Sequence, residues 1–123
     1  MAKRILVVED DADNRRIVAK VLTGEGYDVI EVATGAEAVA AVHQQRPDLI
    51  IMDLALPGID GWEASRRIKA APDSADIPII ALTAFAMRGD EERARAAGCD
   101  AYVPKPCRPQ TLREVVRQFL PEP

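Results

Sequence analysis

Five short apolar runs punctuate the chain, and each is followed by a longer stretch in which hydrophobic residues recur at helical spacing. The runs are Ile5 to Val8, Val29 to Val32, Leu49 to Met52, Ile77 to Leu82 and Ala101 to Val103. Their length and their β-branched and aliphatic content suit strands. Leu112, Val115, Val116, Phe119 and Leu120 follow the i, i+3, i+4, i+7, i+8 pattern of one buried helix stripe, and Ile17, Val18, Val21 and Leu22 do the same near the start. Thr34-Gly-Ala-Glu37 and Asp60-Gly-Trp-Glu63 have the spacing of capping boxes, Asp11 stands where it can cap the first helix, and Gly24, Gly26 and Gly98 stand where helices should stop. Pro78 is expected in the first turn of the fourth strand, where a missing N–H is tolerable.

Strict alternation of strand and helix predicts an α/β protein, a (βα)5 chain with a five-stranded parallel sheet and helices on both faces. The first, third and fourth runs are nearly unbroken aliphatics, as strands covered on both sides require. The second carries Asp28 and Glu31 and the fifth is brief, which marks both as edges. That assignment fits the doubly wound, flavodoxin-like order 2-1-3-4-5.

Composition narrows the reading further. A chain of 123 residues, 48% hydrophobic and 29% charged, is expected to form one domain over residues 1–123. It contains no apolar run of transmembrane length and no opening signal-peptide pattern, so a cytoplasmic location and no membrane partner are expected. The formal net charge of −4 argues against a nucleic-acid partner, which a basic face would attract. Cys99 and Cys107 make no disulfide framework, and one histidine is too few for a structural zinc set. His43, among Gln44, Gln45 and Arg46, reads as a solvated helix residue.

In an open parallel sheet, ligands gather beyond the carboxyl ends of the strands. Glu9, Asp10 and Asp11 follow the first run, Asp53 the third, Thr83 and Ala84 the fourth, and Lys105-Pro106 the fifth. Adjacent first and third strands would bring Glu9, Asp10 and Asp53 together. Three close carboxylates repel one another, and a hard, oxygen-seeking cation such as Mg²⁺ removes the conflict while leaving room for a phosphate. A lysine and a hydroxyl on the other side of Asp53 suit a phosphoryl group being transferred and held.

With these motifs in order, the sequence resembles the receiver domains of two-component response regulators from Lys3 to about Leu120. It is most similar to the DivK-like group, through Ala81-Leu-Thr-Ala-Phe-Ala-Met-Arg-Gly-Asp-Glu-Glu-Arg93, and to chemotaxis-type receivers. The resemblance implies that a histidine kinase or histidine phosphotransfer protein passes a phosphoryl group to Asp53. It also implies Mg²⁺ held by Asp10, Asp53 and the backbone carbonyl of Ala55, with Glu9 reaching the ion through water. Lys105 would pair with the phosphoryl oxygens, Thr83 and the backbone of Ala84 would bond to them, and Tyr102 would follow Thr83 from exposed toward buried. Glu9 replaces the family's more frequent Asp, Leu56 stands where many receivers have Met, and Ala55 offers nothing to help or hinder an attacking water. With no DNA-binding, enzymatic or linker segment after Leu120, the output is expected to be contact with a downstream protein; Arg88 to Arg95 reads as a charged solvated face, on the helix that is the family's usual output surface.

Two other functions share parts of this pattern. A phosphatase with an aspartyl nucleophile wants a second Asp two positions later, where this chain has Ala55. A flavin binder wants a hydroxyl-rich phosphate loop after the first strand, where Glu9-Asp10-Asp11 would repel phosphate. The protein is therefore read as a signalling switch rather than a turnover enzyme. Its donor is expected to dock on Asn14, Arg15 and Val18 of the first helix and on the Pro106-Cys107 loop. Pro106 is expected to set a tight turn that aims Lys105, and Trp62 to pack near the loop after Asp53.

Overall fold

The computed structural model describes residues 2–56, 58–84, 89–105 and 107–121. Its elements alternate as β1 (Arg4–Val8), α1 (Ala12–Gly24), β2 (Asp28–Val32), α2 (Gly35–Gln45), β3 (Leu49–Met52), α3 (Gly61–Ala70), β4 (Ile79–Thr83), α4 (Asp90–Ala96), β5 (Ala101–Pro104) and α5 (Pro109–Phe119). Every strand pair is parallel and the order is β2-β1-β3-β4-β5, with β2 and β5 at the edges.

The unbroken aliphatic runs serve two cores at once, because successive side chains leave opposite faces of a sheet. Leu6, Val8, Ile50, Met52, Ile79 and Ala81 pack with residues of α2, α3 and α4, among them Val42, Ile68 and Ala94. Ile5, Val7, Leu49, Ile51, Ile80 and Leu82 pack with residues of α1 and α5, among them Leu22, Leu112 and Val116. Each fully buried aliphatic of this size contributes roughly 1.5–3 kcal/mol relative to exposure, so the sheet is a rigid base for whatever lies at its edge.

Helix boundaries follow side-chain chemistry. Asp11 caps α1 by accepting from the Asn14 N–H at 2.9 Å, Thr34 caps α2 through Glu37 N–H at 3.1 Å, and Asp60 caps α3 through Glu63 N–H at 2.9 Å. The second half of the Asp60 box is missing: the Glu63 carboxylate turns instead to Arg66 and Arg67. Gly98 ends the α4 turn at φ 102°, a left-handed conformation that glycine adopts without strain.

The expected start of β4 shifts by two residues. Ile77 is tied into the preceding turn, its N–H on Ser74 O and its carbonyl accepting from Lys69 Nζ at 2.7 Å. Pro78 therefore precedes the strand, although its carbonyl still accepts from Ile50 N–H. The end of α2 carries no glycine at all, for Arg46 itself takes the left-handed turn at φ 44° while its guanidinium donates to Asp73 O.

Candidate functional site

The sheet's hydrogen-bond ladder runs one residue past the strands and holds the site by its backbone. Glu9 N–H donates to Val32 O, Asp53 N–H to Val8 O, and Lys105 N–H to Thr83 O. Aligned strand ends, with Val8 opposite both Val32 and Met52, set these residues side by side. Glu9 and Asp53 are each only 5% exposed, and Thr83 at the end of β4 is wholly buried. Asp10 is exposed.

Carboxylate oxygens of Glu9, Asp10 and Asp53 lie within 4.8 Å of one another. Lys105 closes the cluster from β5, its ammonium pairing with Glu9 Oε1 and standing 3.3 Å from Asp53 Oδ2. The remaining oxygens are oriented locally: Glu9 Oε2 accepts from Asp11 N–H at 3.3 Å and Asp53 Oδ1 from Ala55 N–H at 3.0 Å. Burial, with the Asp53 carboxylate beside it, pushes Glu9 up to about 7 despite the Lys105 pair. For Lys105, burial disfavours the ammonium, but Glu9 and Asp53 outweigh it and raise its affinity for the proton. Among the described residues, one cation facing three carboxyl groups is an incomplete neutralisation. Three hard oxygen donors, one of them open to water, match what Mg²⁺ requires.

The expected residues thus converge, with additions that the sequence did not reveal. Gly61 packs so tightly under the acidic loop that a Cβ there would lie 2.3 Å from the Asp53 carbonyl oxygen and 2.5 Å from Leu54 Cα. The only signal for it was the Asp60-Gly61 pair, which reads equally well as a helix cap. Trp62 is buried in the same cluster as Leu54 and Leu56, as expected, and Arg93 of α4 stacks over its ring at 4.4 Å. Arg93 keeps this contact while exposed, and Glu91 and Arg95 pair on the same exposed helix. Arg88 and Pro106 lie outside the described residues. Tyr102 on β5 is already half-buried, and its sealed hydroxyl has no hydrogen-bond partner among the described residues.

A cleft of about 450 Å³ opens beside the cluster, lined by Glu9, Lys105 and Ala84 at one end and by Ile17, Val18 and Cys107 along its length. Ile17 is 59% exposed, the one large hydrophobic so exposed among the described residues. Of the helix residues expected to meet a partner, Asn14 and Val18 line this cleft, but Arg15 does not. Its guanidinium donates to the Glu9 carbonyl and pairs with Glu31. Cys99 and Cys107 are free thiols, both raised by burial, and His43 is exposed on α2.

A doubly wound sheet with an acidic cluster and a lysine at its carboxyl edge defines a class, and the family model for the response regulator receiver domain matches residues 5–117. The chain belongs to that family. It is DivK-like, 39% identical over 120 residues to the polar-differentiation response regulator DivK of Brucella anthropi, with 98% of each chain covered. The receiver domain of a sensor histidine kinase from Pseudomonas aeruginosa PAO1, solved with a magnesium ion coordinated in its active-site cleft, is similar with a TM-score of 0.91. It shares 38% identity over 99% of this chain and 100% of that one. A chemotaxis response regulator of Vibrio cholerae is similar with a TM-score of 0.92 at 28% identity, over 97% and 99% of the two chains. Among the described residues, no helix is long and apolar enough to cross a membrane.

Proposed function

We propose that residues 1–123 form one receiver domain, a cytoplasmic switch that accepts a phosphoryl group on Asp53 from a histidine kinase or histidine phosphotransfer protein. The P–N bond of the donor's phosphohistidine breaks as a P–O bond to the Asp53 carboxylate forms. The released imidazole nitrogen takes up a proton, and an acyl phosphate remains on Asp53. The observation that carries this reading is the buried Asp53 carboxylate between the Lys105 ammonium and the two acids of the β1 edge. No group at Ala55 is suited to proton transfer, which favours a switch that catalyses only its own phosphorylation and dephosphorylation over an enzyme that turns over substrate.

Asp10, Asp53 and the carbonyl of Ala55 would hold Mg²⁺, with Glu9 reaching it through water. When bound, the ion supplies positive charge that draws phosphoryl oxygens toward an otherwise anionic pocket. Lys105 exchanges its carboxylate partners for phosphoryl oxygens, while the Thr83 hydroxyl and the Ala84 N–H donate to the same group. Tyr102 follows Thr83: a buried hydroxyl without a partner costs about 1–3 kcal/mol, so a rearrangement that supplies one is favoured. The donor docks along the cleft at Asn14, Val18 and Cys107, and the output is a contact with a downstream protein.

The test is intact mass after incubation of wild type and Asp53→Asn with acetyl phosphate and Mg²⁺. Wild type gains one phosphoryl group and the variant gains none. Equal labelling of the two would overturn the assignment.

A further inference from the structure

Arg15 sits on the helix face that should meet a donor, yet its guanidinium is occupied within the molecule. Nη1 donates to the Glu9 carbonyl at 2.9 Å, and Nε lies 3.4 Å from Glu31 Oε1 on β2. The side chain is 21% exposed. The Glu9 carbonyl belongs to the peptide that joins Glu9 to Asp10, at the turn from β1 into α1. The Glu9 N–H is already bound to Val32 O, so Arg15 adds a tether at the carbonyl end of the same residue's main chain. A peptide unit is planar, so holding its oxygen also sets the direction in which the chain leaves for Asp10. The guanidinium is a flat fork whose separate N–H groups serve Glu9 and Glu31 together, which a lysine ammonium cannot do in the same geometry.

We propose that Arg15, with Glu31 as its counter-ion, is a positioning residue that fixes the Glu9–Asp10 peptide and hence the placing of both acids against Asp53. The inference rests on reading those acids as the Mg²⁺- and phosphoryl-holding site. It assigns Arg15 a task distinct from docking, and the two tasks separate experimentally, since neither Mg²⁺ nor acetyl phosphate needs a docked protein.

Amide NMR shifts during Mg²⁺ titration give the affinity of wild type, Arg15→Ala, Arg15→Lys, Glu31→Gln and the Arg15→Ala/Glu31→Gln pair. Groups that orient metal ligands commonly alter affinity by about 10–100-fold; because Arg15 acts through one backbone carbonyl, a loss of about threefold to tenfold is expected for Arg15→Ala. Arg15→Lys should recover part of this loss. Glu31→Gln should lose less, and the pair no more than Arg15→Ala alone, because Glu31 acts through Arg15. Labelling by acetyl phosphate should slow at limiting Mg²⁺ and recover at saturating Mg²⁺. Wild-type Mg²⁺ affinity in a folded Arg15→Ala overturns the proposal. If that variant does not fold, unchanged affinity in both Arg15→Lys and Glu31→Gln overturns it instead. A wild type that binds Mg²⁺ but takes no label defeats the phosphoryl-acceptor reading and leaves the affinity comparison standing; one that binds no Mg²⁺ defeats both.

Discussion

Lys105 and Glu9, 96 positions apart in the chain, form a tighter ion pair than the 3.3 Å contact between Lys105 and Asp53. The lysine is thus held chiefly by a carboxylate other than the proposed acceptor. Any anion arriving at Asp53 competes with Glu9 for it.

Replacing Lys105 by Met removes the only cation paired with the cluster among the described residues. Mg²⁺ should bind severalfold more tightly, since it then neutralises the acids alone. Labelling by acetyl phosphate should fall by about tenfold or more, because a positioned cation stabilises the transferring group. Without Mg²⁺ the variant should be less stable, by about 3–5 kcal/mol if the stranded carboxylates cannot relax toward water. Mg²⁺ titration, intact mass and urea unfolding read the three effects.

The raised Glu9 gives the metal-free protein a pH dependence of defined sign. The folded state holds a proton at Glu9 up to about 7, whereas the unfolded chain releases it near 4.5. The contribution is fully present below the unfolded value and is lost as pH rises through about 7. Urea midpoints of wild type should therefore fall between pH 5 and 8 relative to Glu9→Gln, by about 1–3 kcal/mol in stability. Added Mg²⁺ should offset the fall at pH 8 more than at pH 5, because its ligands must be deprotonated.

Gly61→Ala should be costly and Gly24→Ala should not. A Cβ at Gly61 collides with backbone atoms of Asp53 and Leu54, while at Gly24, on the last turn of α1, it meets nothing within 4 Å. The first change should lose about 2–4 kcal/mol, with slower labelling because the peptide of the proposed acceptor Asp53 is displaced. The second should hold or gain up to about 1 kcal/mol. Thermal unfolding of the two variants compares them directly.

Tyr27→Phe separates the frame from the site. The Tyr27 hydroxyl donates to Leu120 O at 3.0 Å and pins the end of α5 beside the turn into β2. Its loss should cost about 1 kcal/mol and leave an unsatisfied carbonyl, with labelling unchanged. A labelling defect would mean that this contact reaches the acidic cluster.

The sheet order and two-sided core were readable because β1, β3 and β4 are aliphatic throughout, and β2 and β5 carry polar or short runs. The start of β4 was not, because Ile77 is apolar like the strand but its N–H and carbonyl are taken by Ser74 and Lys69. The left-handed Arg46 left no trace, since sequence reading looks for glycine there. Within the site, the residue types at the strand ends were sufficient to bring Glu9, Asp10, Asp53 and Lys105 together. Their pairing depends on side-chain reach: one methylene more in Glu9 than in an Asp carries it toward Lys105. Arg15 was read as a docking residue for the same reason, because helix position gives the direction of Cβ and not the end of a long side chain.

The backbone anchoring of Glu9, Asp53 and Lys105 also divides the molecule by its rate of exchange with solvent. Their amide hydrogens stand outside the strands in sequence, yet each is locked to a strand carbonyl and should exchange with deuterium nearly as slowly as the sheet itself. A site so fixed cannot signal by moving its own main chain. Under the proposed phosphorylation, faster or slower exchange is expected elsewhere, in the short α4 and around Tyr102.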